Sequence, residues 1–389
     1  MPATVLRLKR GRDRARTHPW IFKGDVADVA GAGPGVVTIV DSAGRFVGRG
    51  FYNPLPALCC RIATWDDEPL DEAFFARRIR AALGMRAADG DMPIPLGRLV
   101  WSEADRLPGL VVDRYGPVLV LQCLILGMAR SRATVVGALR AAVGDLPVFA
   151  LDEATPARLE GFAPERGWVD RAGPEAVVVQ EGAVSLKVTL GAGHKTGLYL
   201  DQRENRLRAG PLARGCEVLD VFAYTAGFAC HALRGGARSV LCVESSHEIA
   251  TAARENLALN GGEGRSEVTE ANAFDELRRL ERVGRRFGLI VLDPPPFSRT
   301  RTTLDAALRG YKEANLRAMR LLEPGGSLVT FSCSHHVSTA LFEEVCRDAA
   351  ADGGVTLRVR AHLTQASDHP VLLTVPETAY LKGLLLEAV

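Results

Sequence analysis

The stretch from Val218 to Glu244 limits the folds open to this chain more than any other. Val218-Leu219-Asp220-Val221-Phe222 is a short apolar run with one acid inside it. It breaks at Ala223-Tyr224-Thr225-Ala226-Gly227, resumes as Phe228 to Leu233, and is followed by Ser239-Val240-Leu241-Cys242-Val243 ending on Glu244. Short apolar runs bounded by turn residues read as buried strands, and the segment between them as a helix. The pattern therefore predicts the opening βαβ of a doubly wound sheet, with a tight turn at Gly227. Ligands of such sheets lie at the carboxyl ends of the strands, where the strand order switches. That places the candidate site around Asp220 to Gly227.

The turn also limits what can bind. A dinucleotide turn needs G-x-G-x-x-G so that backbone can approach a pyrophosphate, whereas this one holds Tyr224 and Thr225 and only Gly227 among its glycines. Glu244 follows Asp220 by 24 positions, near the roughly 20-residue offset at which an acid meets ribose hydroxyls. A ribose without a phosphate cradle suggests a nucleoside such as S-adenosylmethionine. An ordinary α/β core with no adenosyl ligand stays open on pattern alone.

Further strands extend the sheet. Ser266 to Asn272 reads as the third strand and its exit, Phe287 to Leu292 as a central strand, and Leu328 to Cys333 as the next, so strand ends present Asp220, Glu244, Asn272, Asp293 and Cys333. In Asp293-Pro294-Pro295-Pro296-Phe297 each proline removes a backbone donor and keeps the preceding residue extended. Asp293 is thereby held on a stiff ledge. A carboxylate with a nearby ring suits a planar heterocycle bearing an amino group; the plainer alternative is a proline-rich strand exit with a core Phe297. Cys333, at a strand mouth between two serines, is a candidate nucleophile. Cys333, His335 and His336 lack the partner spacing of a zinc site, so no metal is expected.

Upstream, short strands between Gly35 and Ile62 read as a small β-barrel. Asp71 to Ala87 has helical periodicity and puts a boundary near residue 70. An α+β unit follows up to Leu190, with a helix over Ser131 to Val143. The expected domains are 1–70, 71–190 and 191–389. Gly191-Ala192-Gly193-His194-Lys195-Thr196-Gly197 is not a phosphate loop, because His194 stands where Gly must precede the Lys. Asp201 is expected to N-cap the helix that begins there.

Among the 389 residues no apolar run approaches the ~18 that a membrane span needs, and Met1 to Trp20 has no signal-peptide core. A cytoplasmic protein is expected. The eight cysteines show no C-x-x-C pair, consistent with reduced thiols. Between Met1 and Gly24 seven basic residues, Arg7, Lys9, Arg10 and Arg12 among them, face one acid, which is a hint of phosphate binding or simply a solvated charged end.

Together, Asp220 to Phe228, Asp293-Pro294-Pro295 and Ser332-Cys333-Ser334-His335-His336 resemble the motifs of S-adenosylmethionine-dependent large-subunit ribosomal RNA methyltransferases that carry an N-terminal PUA domain. His18-Pro19-Trp20-Ile21-Phe22 and Gly48 to Pro54 resemble the PUA module, Glu103 to Gly116 the central domain, and Lys195-Thr196-Gly197 with Tyr199 to Arg206 the most distinctive signature. Asp368-His369-Pro370 and Tyr380-Leu381-Lys382-Gly383 are similar to the C-terminal end. The resemblance implies an α/β protein with a Rossmann-like class I methyltransferase sheet, preceded by a PUA-like β-barrel and a central α+β domain. It implies methylation of cytosine carbon 5 in large-subunit rRNA through a covalent Cys333 adduct, with Asp293 as catalytic partner. S-Adenosylmethionine would meet Lys195, Thr196, Gln202, Asp220, Phe222, Tyr224, Thr225, Gly227, Glu244, Ser245, Asn272, Ala273 and Asp293. The RNA would meet Pro294, Phe297, Arg7, Lys9, Arg10 and Arg12, and a homodimer is implied. Two features depart from related patterns. Prolines stand where other RNA cytosine methyltransferases often carry a second cysteine, and Asn272 stands where many methyltransferases have Asp. The competing readings are methylation of an exocyclic amine on adenine or guanine, and an RNA-binding or ribosome-assembly factor without catalysis.

Overall fold

The computed structural model describes residues 4–11, 17–31, 33–87, 95–191, 197–297 and 304–389. Two compact units divide the chain: the first holds residues 1–177, 189–192 and 367–378, the second 178–188, 193–366 and 379–389.

In the first unit, strands β1 (Thr4–Leu8), β2 (Trp20–Phe22), β3 (Val26–Ala30), β4 (Gly35–Val40), β5 (Phe46–Tyr52) and β6 (Leu58–Thr64) form one sheet in the order β2-β6-β5-β4-β1-β3. Alternate residues point inward, so Leu6, Leu8, Val37, Ile39, Cys60 and Ile62 share a core. Strand β5 crosses β6 so closely that a Cβ at Gly50 would sit 2.2 Å from the Arg61 carbonyl oxygen. Helix α1 (Glu72–Arg86) follows, and the Asp71 side chain caps it by accepting from the Phe74 N–H at 3.0 Å. A second sheet, with its own core, contains β7 (Leu96–Trp101), β8 (Leu110–Tyr115), β9 (Val118–Cys123), β10 (Val148–Leu151) and β11 (Arg166–Trp168) in the order β11-β10-β9-β8-β7. Helices α2 (Leu126–Arg130), α3 (Arg132–Val143) and α4 (Ala154–Glu160) accompany it.

The second unit takes in most of a hairpin, β12 (Ala176–Glu181) and β13 (Val184–Thr189), and then helix α5 (Arg203–Ala209). Then come β14 (Glu217–Val221), α6 (Gly227–Arg234), β15 (Ser239–Glu244), α7 (His247–Leu259), β16 (Ser266–Glu270), α8 (Ala273–Arg282), β17 (Phe287–Leu292), α9 (Leu304–Arg320), β18 (Leu322–Ser332), α10 (Thr339–Gly353), β19 (Leu357–Thr364) and β20 (Lys382–Ala388). The sheet order is β16-β15-β14-β17-β18-β20-β19. The first five strands are parallel, and β20 runs antiparallel to both β18 and β19. The doubly wound sheet expected from Val218 to Glu244 is present, and its order reverses between β14 and β17. Strand β17 is buried along its whole length, which explains why its sequence is continuously apolar instead of alternating. Among the described residues no helix is long and apolar enough to cross a membrane.

Candidate active site

The turn from β14 to α6 does not bend where glycine would predict. Phe222, Tyr224 and Ala226 take positive φ values of 63°, 49° and 62°, each costing about 1–3 kcal/mol for a residue with a Cβ. Gly227 opens helix α6 in ordinary geometry, and its missing side chain serves another purpose: a Cβ there would lie 2.9 Å from Cδ of Arg206. The strained turn is held from outside. The Ala223 N–H donates to the Val243 carbonyl at 3.1 Å, the Asn256 amide to the Thr225 carbonyl at 3.1 Å, and the Tyr224 hydroxyl to the Gly197 carbonyl at 2.9 Å.

Glu244 completes this hold from the end of β15. One carboxylate oxygen accepts from the Tyr224 N–H at 3.1 Å and the other from the Ser246 N–H at 2.9 Å. The carboxylate is fixed by backbone, and the residue is half-buried. Asp220 is buried, and it accepts from the Ala229 N–H of α6 at 3.1 Å. Burial raises its carboxyl well above the ordinary range, helped by the Asp293 and Glu244 charges and opposed by the Ala229 hydrogen bond. A carboxyl in that condition gains from a cation placed beside it.

Beneath the turn, Arg206 makes a bidentate pair with Glu181 of the hairpin, at 2.6 Å for both hydrogen bonds, and His231 of α6 adds a contact of 2.8 Å. Burial alone would raise the Glu181 carboxyl, yet Arg206 and His231 bring it down to about 2. Asp201 is not an N-cap. It lies in a 3-10 turn before α5, whose N-terminal flanking residue is Gln202, and its carboxylate accepts from the Tyr380 hydroxyl at 2.6 Å. The Gln202 side-chain Oε1 accepts from the Asn205 side-chain amide at 2.7 Å, while its buried Nε2 has no hydrogen-bond partner among the described residues.

On the other side of the switch, the Asp293 N–H reaches the Val221 carbonyl at 3.4 Å, tying the exit of β17 to β14. Cys333, half buried at the end of β18, brings its Sγ within 3.9 Å of the Pro294 carbonyl oxygen. One cavity of about 610 Å³ joins both sides. Gln202, Asp220, Phe222, Tyr224, Thr225, Gly227, Glu244 and Ser245 line it, as do Asp293, Pro294 and Cys333. His335 and His336 stand at its wall too, and among the described residues no cluster suited to a metal ion occurs.

Other candidate residues lie elsewhere. Asn272 and Ala273 do not line the cavity: the Asn272 side-chain Oδ1 caps α8 by accepting from the Phe274 and Asp275 N–H groups. Phe297 also stands outside it, because its ring packs against Tyr311, Phe274 and Phe222 at centroid separations of 4.7, 5.8 and 6.1 Å. The aromatic neighbour expected to stack on a substrate ring is therefore part of a core cluster. Arg7, Lys9 and Arg10 belong to the first unit, where Arg7 faces Asp28 at 3.4 Å and Lys9 donates to the Gly24 carbonyl at 2.9 Å. Lys195, Thr196 and Arg12 lie outside the described residues. Tyr199, Arg206 and Tyr380 also line the cavity, and nothing local in the sequence marks them individually.

The cavity suits S-adenosylmethionine on three counts. Its volume fits a nucleoside-sized ligand, Glu244 offers a fixed acceptor at its edge, and Gln202 leaves a buried donor unsatisfied. Comparison with known proteins agrees: the family model described as S-adenosylmethionine-dependent methyltransferase matches residues 163–386, and that of a PUA-like domain matches residues 5–65. In fold, the chain is similar to an S-adenosylmethionine-dependent methyltransferase from Streptococcus mutans, with a TM-score of 0.84 at 18% identity, covering 98% of this chain and 100% of the other. A methyltransferase solved in complex with SAH gives a TM-score of 0.85 at 18% identity, covering 98% and 99%. These features define an S-adenosylmethionine-dependent methyltransferase with a PUA-like domain.

Ribosomal RNA large subunit methyltransferase I of Salmonella arizonae is 39% identical over 391 residues, covering 98% of this chain and 96% of its own. The protein of the same name from Alteromonas mediterranea is 37% identical over 389 residues, covering 98% of both. The chain belongs to this methyltransferase I family.

Proposed function

We propose that this protein methylates carbon 5 of a cytosine in large-subunit ribosomal RNA, with Cys333 as covalent nucleophile. The observation that carries the reading is the shared cavity, whose wall includes Cys333 and Asp293 together with Glu244 and residues of the strained turn. The names of the methyltransferase I relatives support the RNA class. Residues 1–70 would serve as the RNA-binding domain, 71–190 as the central domain and 191–389 as the methyltransferase domain.

S-Adenosylmethionine, when bound, supplies an electrophilic methyl group. Glu244 would hold its ribose hydroxyls, Asp220 would face its positive charge, and Gln202 would donate to it. The chain must make carbon 5 nucleophilic, which an unmodified cytosine ring does not do well. The Cys333 thiolate bonds to carbon 6 while ring nitrogen 3 takes up a proton, and the resulting enamine concentrates electron density on carbon 5. Asp293 accepts from the exocyclic amine and, in its protonated form, donates to nitrogen 3. After methylation, a base removes the proton from carbon 5, the bond between sulfur and carbon 6 breaks so that Cys333 leaves as thiolate, and nitrogen 3 returns its proton to Asp293. The target base has to leave its stack to enter such a cavity.

The test is to incubate the protein with large-subunit rRNA and labelled S-adenosylmethionine, then digest the RNA to nucleosides for mass spectrometry. The label should appear in 5-methylcytidine. Label on an exocyclic amine of adenosine or guanosine, or no label, would overturn the reading.

A further inference from the structure

Lys382 is an unusual residue to find buried at the start of an interior strand. Antiparallel pairing sets it opposite Ser332 of β18 on one side and Thr364 of β19 on the other. It is 8% exposed. Its ammonium donates to the carbonyl oxygens of Ser334 at 2.7 Å and Tyr380 at 2.8 Å. These bonds use two of three N–H donors and fasten the head group to the segment that carries Cys333. Among the described residues no carboxylate lies within 4.0 Å of it to form an ion pair. A buried cation without a counter-charge is costly, so its retention needs a reason.

The charges around the Cys333 segment supply one. Asp293 stands at the exit of β17, Asp201 comes from the 3-10 turn and Tyr199 from just before it, Tyr380 precedes β20, and His335 and His336 follow Cys333. Tyr311 of α9 shares a hydrogen bond of 2.9 Å with the Ser334 hydroxyl. Arg206 also reaches this cavity, but its charge is taken up by Glu181. Burial lowers the Lys382 ammonium to about 8, and the charge that works against this is that of Cys333.

We propose that Lys382 is a positioning residue that keeps Cys333 as a thiolate: the thiol proton passes to solvent, and the buried ammonium becomes the counter-ion of the sulfur. This rests on Cys333 being the nucleophile proposed above. It gives the last strand of the sheet a part in the chemistry, because β20 delivers a cation to the mouth of β18.

The test follows the alkylation of Cys333 by iodoacetamide as a function of pH, by mass spectrometry of the peptide that contains it. Replacing Lys382→Met should shift the inflection upward by about one unit and slow alkylation at neutral pH about tenfold. Lys382→Arg should restore most of the rate. A Lys382→Met profile superimposed on that of the unaltered protein would overturn the proposal. Should Lys382→Met fail to fold, NMR titration of the Lys382 side chain decides: Cys333→Ala should lower its inflection, and an unchanged inflection counts against the pair. Neither measurement uses methyl transfer. Loss of the covalent reading, shown by methylation that survives Cys333→Ala, is therefore distinguishable from loss of the ion pair.

Discussion

Removing the sulfur of Cys333 separates the chemistries this cavity could support. With the covalent route, Cys333→Ala should reduce methyl transfer by more than about 10³-fold while S-adenosylhomocysteine binding, followed by calorimetry, stays within about twofold. Amine methylation would survive the change. Glu244 carries a different burden: its carboxylate is fixed by two backbone N–H groups. Glu244→Gln should weaken S-adenosylhomocysteine binding about 10- to 100-fold, the worth of charged hydrogen bonds to hydroxyls. A change below twofold would remove Glu244 from the ribose. At this scale the places of Glu244, Asp293 and Cys333 on the cavity wall were legible because each follows an apolar run, and that of Asp220 because it interrupts one; the strand mouth is a local property. Lys382, Arg206 and Tyr380 were not, since their partners Ser334, Glu181 and Asp201 lie 48, 25 and 179 positions away. Phe297 misled for the same reason: nothing local says that a ring near a strand end will turn into an aromatic cluster.

Between β14 and α6 the chain stores strain and the neighbouring elements contain it. Gly227→Ala would push a methyl group toward Cδ of Arg206. It should lower the unfolding free energy by about 1–3 kcal/mol, measured by urea denaturation, and weaken cofactor binding with it. Ala226→Gly acts the other way on the backbone, relieving a φ of 62°, and should cost less than an ordinary Ala→Gly change at a helix start. The Glu181–Arg206–His231 cluster clamps the hairpin to α5 and α6 and makes a prediction in pH. The Glu181 carboxyl is lowered from 4.5 to about 2. Its stabilisation is therefore complete above about 4.5 and is lost as pH falls through 2. At about 1.4 kcal/mol per unit this amounts to roughly 3 kcal/mol. The double variant Glu181→Leu with Arg206→Met should lack that part of the acid slope in urea titrations, and an identical slope would refute the assignment. The βαβ pattern was readable because period and turn residues are local signals. The position of the strain was not, because the contacts that hold Phe222, Tyr224 and Ala226 come from Glu244, Val243, Asn256 and Gly197.

Across the whole chain, an apparently ordinary net charge of +2 conceals the basic run before Gly24. If that run contacts rRNA phosphates, binding should weaken with salt at a log–log slope set by the number of contacts. Replacing Arg7, Lys9 and Arg10 together by Ala should reduce the slope by about two to three, read by filter binding at several salt concentrations. An unchanged slope would place the RNA elsewhere. The division into sheets was visible from strand spacing and Pro/Gly links, whereas the inclusion of residues 367–378 in the first unit was not, because a segment returning from far along the chain leaves no periodic mark. The central claim, a sulfur bond to cytosine, is tested most directly with an rRNA fragment bearing 5-fluorocytosine at the target. Fluorine cannot leave as the carbon 5 proton does, so the methylated adduct should accumulate as a one-to-one protein–RNA species that survives denaturing gels, maps to Cys333 and vanishes in Cys333→Ala. Full methylation of unmodified rRNA by Cys333→Ala, with no adduct from the fluorinated fragment, would contradict it.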